Sequence, residues 1–255
     1  LPHITYVTAE VAARCDVYHE VGGMDYYPDL ELFARTELFQ GIPADAVGSL
    51  QAAAVRKRVA AGEMLFQQGD AAAFLFLVIA GRLRASQMTQ DGQQIIIRYI
   101  GPGEIAGYTA LAGGDTHPGT VAAVDDSHLI GWTSAIIRQT MERHPVLAMN
   151  AVALLGRRYH EMQVRLRELS TERVERRIGH TLLRLAHQSG RRTARGIEIA
   201  FPLSRQDLAE MAGTTLHTVS RTLSGWEEKG IVNCGRRRVV LCKPHALVAI
   251  ADEDE

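Results

Sequence analysis

The stretch LSRQDLAEMAGTTLHTVSRTLSGWEEKGIV, residues 203–232, carries the most specific pattern in the chain, and it reads as helix, turn, helix. Ser204 stands where it would cap a short helix with Asp207 at the third position, and Leu208 and Met211 fall on its inner face. Gly213 permits a tight turn, after which Val219, Leu223 and Trp226 give the second helix a buried stripe. The outward positions of that helix are then Leu216, His217, Ser220 and Arg221. A helix presenting such side chains near its start fits a DNA major groove, where a guanidinium reads guanine through two parallel hydrogen bonds. The expected contact set is Ser204, Arg205, Gln206, Thr215, Leu216, His217, Thr218, Ser220 and Arg221, with Arg221 on a base and Arg205 on phosphate. Residues 231–241 split around Gly235-Arg-Arg-Arg238 into two short strands, a wing whose Arg236 and Arg237 are placed to neutralise phosphate.

Charge supports that reading only when the chain is divided. The 255 residues sum to −1, but up to Ser170 there are 14 basic against 18 acidic residues, and after it 14 against 11. Four of those eleven form the tail Asp252 to Glu255, so the segment before the tail holds 14 basic against 7 acidic residues, the electrostatic footprint of a phosphate-binding surface. No stretch nears the ~18 uninterrupted apolar residues of a membrane span. The three cysteines Cys15, Cys234 and Cys242 leave one unpaired in any disulfide scheme, and no leader-like stretch opens the sequence, so a reducing cytoplasm is the expected location.

Working toward the N-terminus, Pro145 opens a helical period in which Ala148, Val152, Leu155, Tyr159, Met162, Leu166 and Leu169 recur at alternating intervals of four and three. That is a heptad seam, and Val152, Leu155, Tyr159, Met162, Leu166 and Leu169 are the expected dimer interface. A second helical run through Ile178, Leu182, Leu183 and Leu185 ends at Gly190. Residues 56–137 are short β-rich runs with turn residues roughly every ten positions, which argues a barrel or sandwich. Two short helices are expected between Asp29 and Val55, broken at Gly41 and Pro43, and residues 1–30 read as an extension without a sustained hydrophobic period. The expected division is 1–30 extension, 31–144 roll, 145–170 dimerisation helix and 171–255 winged helix-turn-helix with an acidic tail.

This order resembles the cyclic AMP receptor/FNR family of bacterial transcription regulators from about Phe33 to Leu241. Its markers are Gly62-Glu-Met-Leu-Phe-Gln-Gln-Gly-Asp70, Val78-Ile-Ala-Gly-Arg-Leu83, Gly103-Glu-Ile-Ala-Gly107, Arg177-Ile-Gly-His-Thr-Leu-Leu-Arg-Leu-Ala186 and Leu203-Ser-Arg-Gln-Asp-Leu-Ala209. The resemblance implies an α+β chain with an N-terminal β-roll of the cyclic-nucleotide-binding jelly-roll kind, a long dimerisation helix and a C-terminal winged helix-turn-helix. It further implies a homodimer on an inverted-repeat DNA site with RNA polymerase as a partner, and no membrane.

The family's effector motifs mostly fail when carried over. Cyclic-nucleotide binders place a ribose-binding glutamate after Gly107 and an arginine-serine or arginine-threonine pair near 117–119, where this chain has Tyr108 and His117-Pro118-Gly119. Met162 and Gln163 replace two hydroxyl residues that receive the base. Without the guanidinium a buried phosphate lacks its charge-assisted partner, so cyclic AMP is disfavoured. An iron-sulfur cluster of the FNR type needs four thiolates and is disfavoured too. The effector-pocket candidates are Gly107, Tyr108, His117, Thr120, Met162 and Gln163. Relatives commonly carry glutamate where His217 stands, which opens the base preference there, while the string 214–224 is similar to nitric-oxide and nitrite-responsive denitrification regulators. The expected signal is therefore other than cyclic AMP. Nitric oxide read through haem is one form, with His3, His19 and His117 as candidate iron ligands, and a regulator active without any ligand is another. A cupin-type metal enzyme is the rival from a different class, but the roll offers only His117 and His128 and no His-x-His pair.

Overall fold

The computed structural model describes residues 30–252, so the extension with His3, Cys15 and His19, and the last three residues of the acidic tail, lie outside the described residues. Two units pack separately, one up to Val164 and the other from Arg165 onward, with the division falling inside one long helix.

The first unit begins with α1 (Leu30–Arg35), a 3₁₀ turn (Glu37–Phe39) and α2 (Ala44–Ala53), with the expected break at Gly41 and Pro43 between the last two. Eight strands follow: β1 (Val55–Val59), β2 (Met64–Phe66), β3 (Phe74–Ala80), β4 (Leu83–Met88), β5 (Gln94–Ile100), β6 (Ile105–Ala106), β7 (Thr120–Ala123) and β8 (Ser127–Thr133), with the short α3 (Thr109–Ala112) between β6 and β7. They form two antiparallel sheets of order β1-β8-β3-β6 and β2-β7-β4-β5. The period of two along β3 separates two cores, because successive side chains leave a strand on opposite faces. Phe76 and Val78 pack with Leu83, Ile100, Val121 and Leu129 into one, whereas Leu75 and Leu77 join Leu50, Ile130 and Trp132 in the other. Helices α1 and α2, together with α4 (Ser134–Arg143) and the start of α5 (Pro145–Thr171), supply the rest of that second core through Phe33, Val47, Ile137, Leu147, Ala151 and Leu154. Trp132 anchors it, edge-on to Phe33 and Phe39 with centroids 6.0 and 5.2 Å away, its indole N–H donating to the Leu50 carbonyl at 2.7 Å.

Helix α5 runs 27 residues, and away from the face that carries Leu147, Ala151 and Leu154 its apolar side chains lie outside that core. Met149, Val152, Tyr159, Met162, Leu166 and Leu169 are 43–67% exposed and Leu155 is half-buried, which leaves an apolar stripe along the heptad positions.

The second unit contains the end of α5, α6 (Val174–Ser189), β9 (Gly190–Thr193), β10 (Gly196–Ile199), α7 (Arg205–Ala212), α8 (Leu216–Glu228), β11 (Val232–Gly235), β12 (Arg238–Leu241) and α9 (Pro244–Asp252). Its core is Ile178, Leu182, Leu185, Phe201, Leu203, Leu208, Val219, Leu223, Trp226, Val240 and Leu247, all buried. The wing is no isolated hairpin: β11 and β12 belong to a four-stranded sheet of order β11-β12-β10-β9, whose last two strands the sequence pattern does not announce. Among the described residues no helix is long and apolar enough to cross a membrane.

Trp132→Phe keeps most of the ring volume but strips the Leu50 carbonyl of its donor in a dry site. The expected loss is ~1–3 kcal/mol, read as a lower midpoint with unchanged slope in urea unfolding.

Candidate nucleic-acid interface

The helix pair at 203–228 is built by local capping. Ser204 holds extended backbone (φ −86°) and its hydroxyl accepts from the Asp207 amide at 3.0 Å, while the Asp207 carboxylate accepts from the Ser204 amide at 2.8 Å, a reciprocal box that starts α7. Gly213 ends α7 in the left-handed region (φ +60°), the conformation that favours glycine, and a Cβ there would lie 2.8 Å from Leu169 Cδ2 and oblige that side chain to turn aside. Thr215 then caps α8, accepting from the Thr218 amide at 3.2 Å. Val219, Leu223 and Trp226 are buried, and the Trp226 indole donates to Glu175 at 2.9 Å.

That anchoring leaves Leu216, His217 and Arg221 exposed and Ser220 half-buried on the opposite side of α8. Thr215 and Thr218 share a hydroxyl contact of 3.0 Å, so the cap engages both. At the start of α7, Gln206 is exposed and donates to Glu210 at 2.9 Å, while Arg205 is half-buried with Glu227 3.7 Å away. Glu227 also accepts from the Cys234 amide at 2.8 Å, tying the last turn of α8 to β11. Burial and Glu227 push the Cys234 thiol up to about 11, which makes it a packed side chain rather than a reactive one.

Arg236 and Arg237 form the exposed turn of the wing. Arg237 is the one non-glycine residue with positive φ among those described (+54°), and its carbonyl accepts from the Leu203 amide at 3.0 Å, which fastens the wing to the entry of α7. Sequence reasoning missed how the wing is anchored. Arg238 donates twice to Glu198 of β10, at 2.7 and 3.3 Å, with Arg191 of β9 a further 3.5 Å contact. Only the pairing with β10 could have revealed it.

The effector candidates of the roll separate into two groups. Gly107 (φ +87°) lies where a Cβ would be 2.6 Å from the Phe74 carbonyl, so the backbone passes too close for any other residue. Next to it the Tyr108 hydroxyl accepts from Arg98 at 2.9 Å and from Arg158 of α5 at 3.3 Å, with both guanidinium carbons about 6 Å from the ring centre, at 5.9 and 5.8 Å. Glu104 bridges the two arginines, bonded to Arg98 and 3.4 Å from Arg158, and Glu161 takes both oxygens to Arg158 at 2.8 Å. Arg98, Glu104 and Arg158 were absent from the sequence-derived set, because their meeting depends on chain separations of up to 54 residues. His117 is buried with its ring parallel to Phe66 at 3.6 Å, and burial pushes its imidazole down against the opposing pull of Asp70. The Thr120 hydroxyl accepts from the Gln68 amide at 3.0 Å. Met162 and Gln163 are exposed on α5. Among the described residues no group of three or more histidine, cysteine or acidic side chains is placed to hold a metal.

A capped helix pair with a basic wing, joined in one chain to a β-roll, is the architecture of a DNA-binding transcription regulator, and comparison with known proteins agrees. Residues 56–144 match the cyclic nucleotide-binding domain and 176–250 the Crp-like helix-turn-helix domain. The chain is 31% identical to the cyclic AMP receptor protein of Thermus thermophilus over 84% of this chain and 96% of that protein. It is 28% identical to the nitrogen fixation regulation protein FixK of Azorhizobium caulinodans, over 82% and 83%. FixK2 from Bradyrhizobium japonicum shares the fold, with a TM-score of 0.71 at 22% identity over 79% of this chain and 99% of that one. The chain belongs to the cyclic AMP receptor/FNR family of transcription regulators, and it is not an enzyme.

Arg238 holds the Glu198 carboxyl below its ordinary value of 4.5, by hydrogen bond first and by charge second. A carboxyl lowered in the folded state contributes stability above its unfolded pKa and loses it as pH falls through the folded one. The expected NMR titration midpoint of Glu198 is therefore below 4.5 and rises toward it in Arg238→Gln, with the β10–β12 pairing loosening in the same acid range.

Proposed function

We propose that the protein is a cytoplasmic homodimeric regulator whose long helices pair along Val152, Leu155, Tyr159, Met162, Leu166 and Leu169, and which binds an inverted repeat of DNA in response to a signal other than cyclic AMP. The observation that carries the reading is the exposed first half of α8, with Leu216, His217 and Arg221 outward over a fully buried Val219, Leu223 and Trp226. The apolar stripe on α5 supports the dimer, since exposed leucine, methionine and tyrosine at heptad spacing gain their burial from a twin helix. Two recognition helices related by a twofold axis would enter successive major grooves about 34 Å apart. RNA polymerase is the partner that family resemblance supplies.

The reading of the signal rests on Tyr108. Its hydroxyl and the Glu104 carboxylate already engage Arg98 and Arg158, so a phosphate arriving there has to displace a carboxylate from both guanidinia. The same joint favours, as a second reading, a regulator that holds its active arrangement without a ligand.

Met162 is 63% exposed, so Met162→Lys leaves the fold intact while placing a charge in the seam; sedimentation at micromolar concentration is expected to show a monomer. A persistent dimer would place the interface elsewhere. Binding-site selection separates the two arginines of the helix pair. Arg221→Ala should flatten the preference at one base pair per half-site, a loss of ~1–3 kcal/mol of discrimination. Arg205→Ala should weaken all sequences alike and reduce the slope of log affinity against log salt by about 0.9 for each phosphate no longer neutralised.

A further inference from the structure

We propose that Arg177, assisted by Arg165, is a positioning residue for DNA recognition, holding the carbonyl end of α7 so that α8 leaves the turn in its reading direction. An α-helix ends with carbonyls that have no partner within the helix and with partial negative charge, and a turn built on them drifts unless something takes those oxygens. Here the backbone satisfies one of them: the amides of Gly213 and Thr214 both return to the Ala209 carbonyl. The carbonyls of Met211, Ala212 and Gly213 go to guanidinia. Arg165, on the last turns of α5, donates Nη2 to the Met211 carbonyl at 2.5 Å. Arg177, on α6, donates Nε to the Ala212 carbonyl at 3.0 Å and Nη2 to the Gly213 carbonyl at 3.1 Å.

The third donor of Arg177 is what makes this a joint rather than a cap. Nη1 reaches the carbonyl of Glu172 at 3.0 Å, in the short link between α5 and α6. One planar guanidinium thus fixes three backbone oxygens from two places in the chain, which a lysine ammonium lacks the fork geometry to do. Leu169 closes the same corner from α5, its Cδ2 filling the space that a Cβ on Gly213 would need. Ahead of α5's end, Glu168 is buried and receives Arg184 of α6 through both oxygens at 2.6 and 2.7 Å, so the segment that carries Arg165 is itself bolted down. Thr215, the cap of α8, follows Gly213 by two residues, and any slack at these carbonyls is passed directly to Leu216, His217 and Arg221.

The test uses the full chain and a duplex that the wild-type protein selects from random sequence, titrated at several salt concentrations. Arg177→Met is expected to lose about tenfold in affinity, the scale of one charge-assisted hydrogen bond. The salt slope and the ranking of base-pair changes should stay as in wild type, because every phosphate-binding and base-reading side chain is still present. Arg177→Lys should recover part of the loss, and amide exchange at Gly213, Thr214 and Thr215 should quicken in both variants well below their melting transitions. Wild-type affinity for Arg177→Met overturns the proposal. So does a slope reduced by about 0.9 per half-site, which would put the guanidinium on a phosphate. Should Arg177→Met fail to fold, Arg165→Gln decides, with an expected loss of about threefold at constant slope; unchanged affinity there overturns the proposal. Failure of the wild-type protein to select any duplex would instead overturn the DNA-binding reading itself.

Discussion

The left-handed backbone at Gly213 is the constraint on which the rest of the second unit depends. A chain that leaves α7 at φ +60° under the methyl of Leu169 has one direction in which to start α8, and Thr215 caps it there. From α8 the order spreads outward: Trp226 is buried against α6 through Glu175, and Glu227 takes the amide of Cys234 to begin β11. The loop closes when the Arg237 carbonyl receives the Leu203 amide just ahead of α7. Leu216, His217, Arg221, Arg236 and Arg237 are left outward by this ring of caps and side-chain anchors, in which other cations, Arg165, Arg177 and Arg238, are the fastenings.

The roll is organised differently, around one strand buried on both faces. Because β3 gives alternate residues to two cores, it is apolar throughout, Phe-Leu-Phe-Leu-Val-Ile-Ala, and charged groups gather elsewhere, Arg98 on the edge strand β5 and Arg158 on α5 among them. The cluster of Arg98, Glu104, Tyr108 and Arg158 sits at such a margin, and the two acids Glu104 and Glu161 offset the charge of its two arginines.

What was legible in the sequence follows from the range of the interaction. Ser204 and Gly213 announce the two ends of α7 because a cap is decided within three or four residues. The stripe of α5 is legible for the same reason, periodicity being a local property. Strands β9 and β10 were not: Gly190-Arg-Arg-Thr193 has no apolar alternation, and it is a strand because Gly196–Ile199 pairs with it and with Leu241 across some forty residues. The arginine contacts at Met211, Ala212 and Gly213 were hidden more deeply, since a backbone carbonyl is the same acceptor in every residue and leaves no mark in the sequence. Arg158 carries no such local mark either, because its partners Glu104 and Tyr108 lie 54 and 50 residues away.

The left-handed conformation of Arg237 bears on how such a chain should be altered. Any residue with a Cβ is held there at a penalty of roughly 1–2 kcal/mol that glycine escapes. A redesign guided by thermal robustness alone would therefore choose Arg237→Gly, and a library screened by heat would enrich it. Both would be discarding a positive charge at the wing tip while recording an improvement. Screens of this protein need a binding readout beside the thermal one, because at this position the two point in opposite directions.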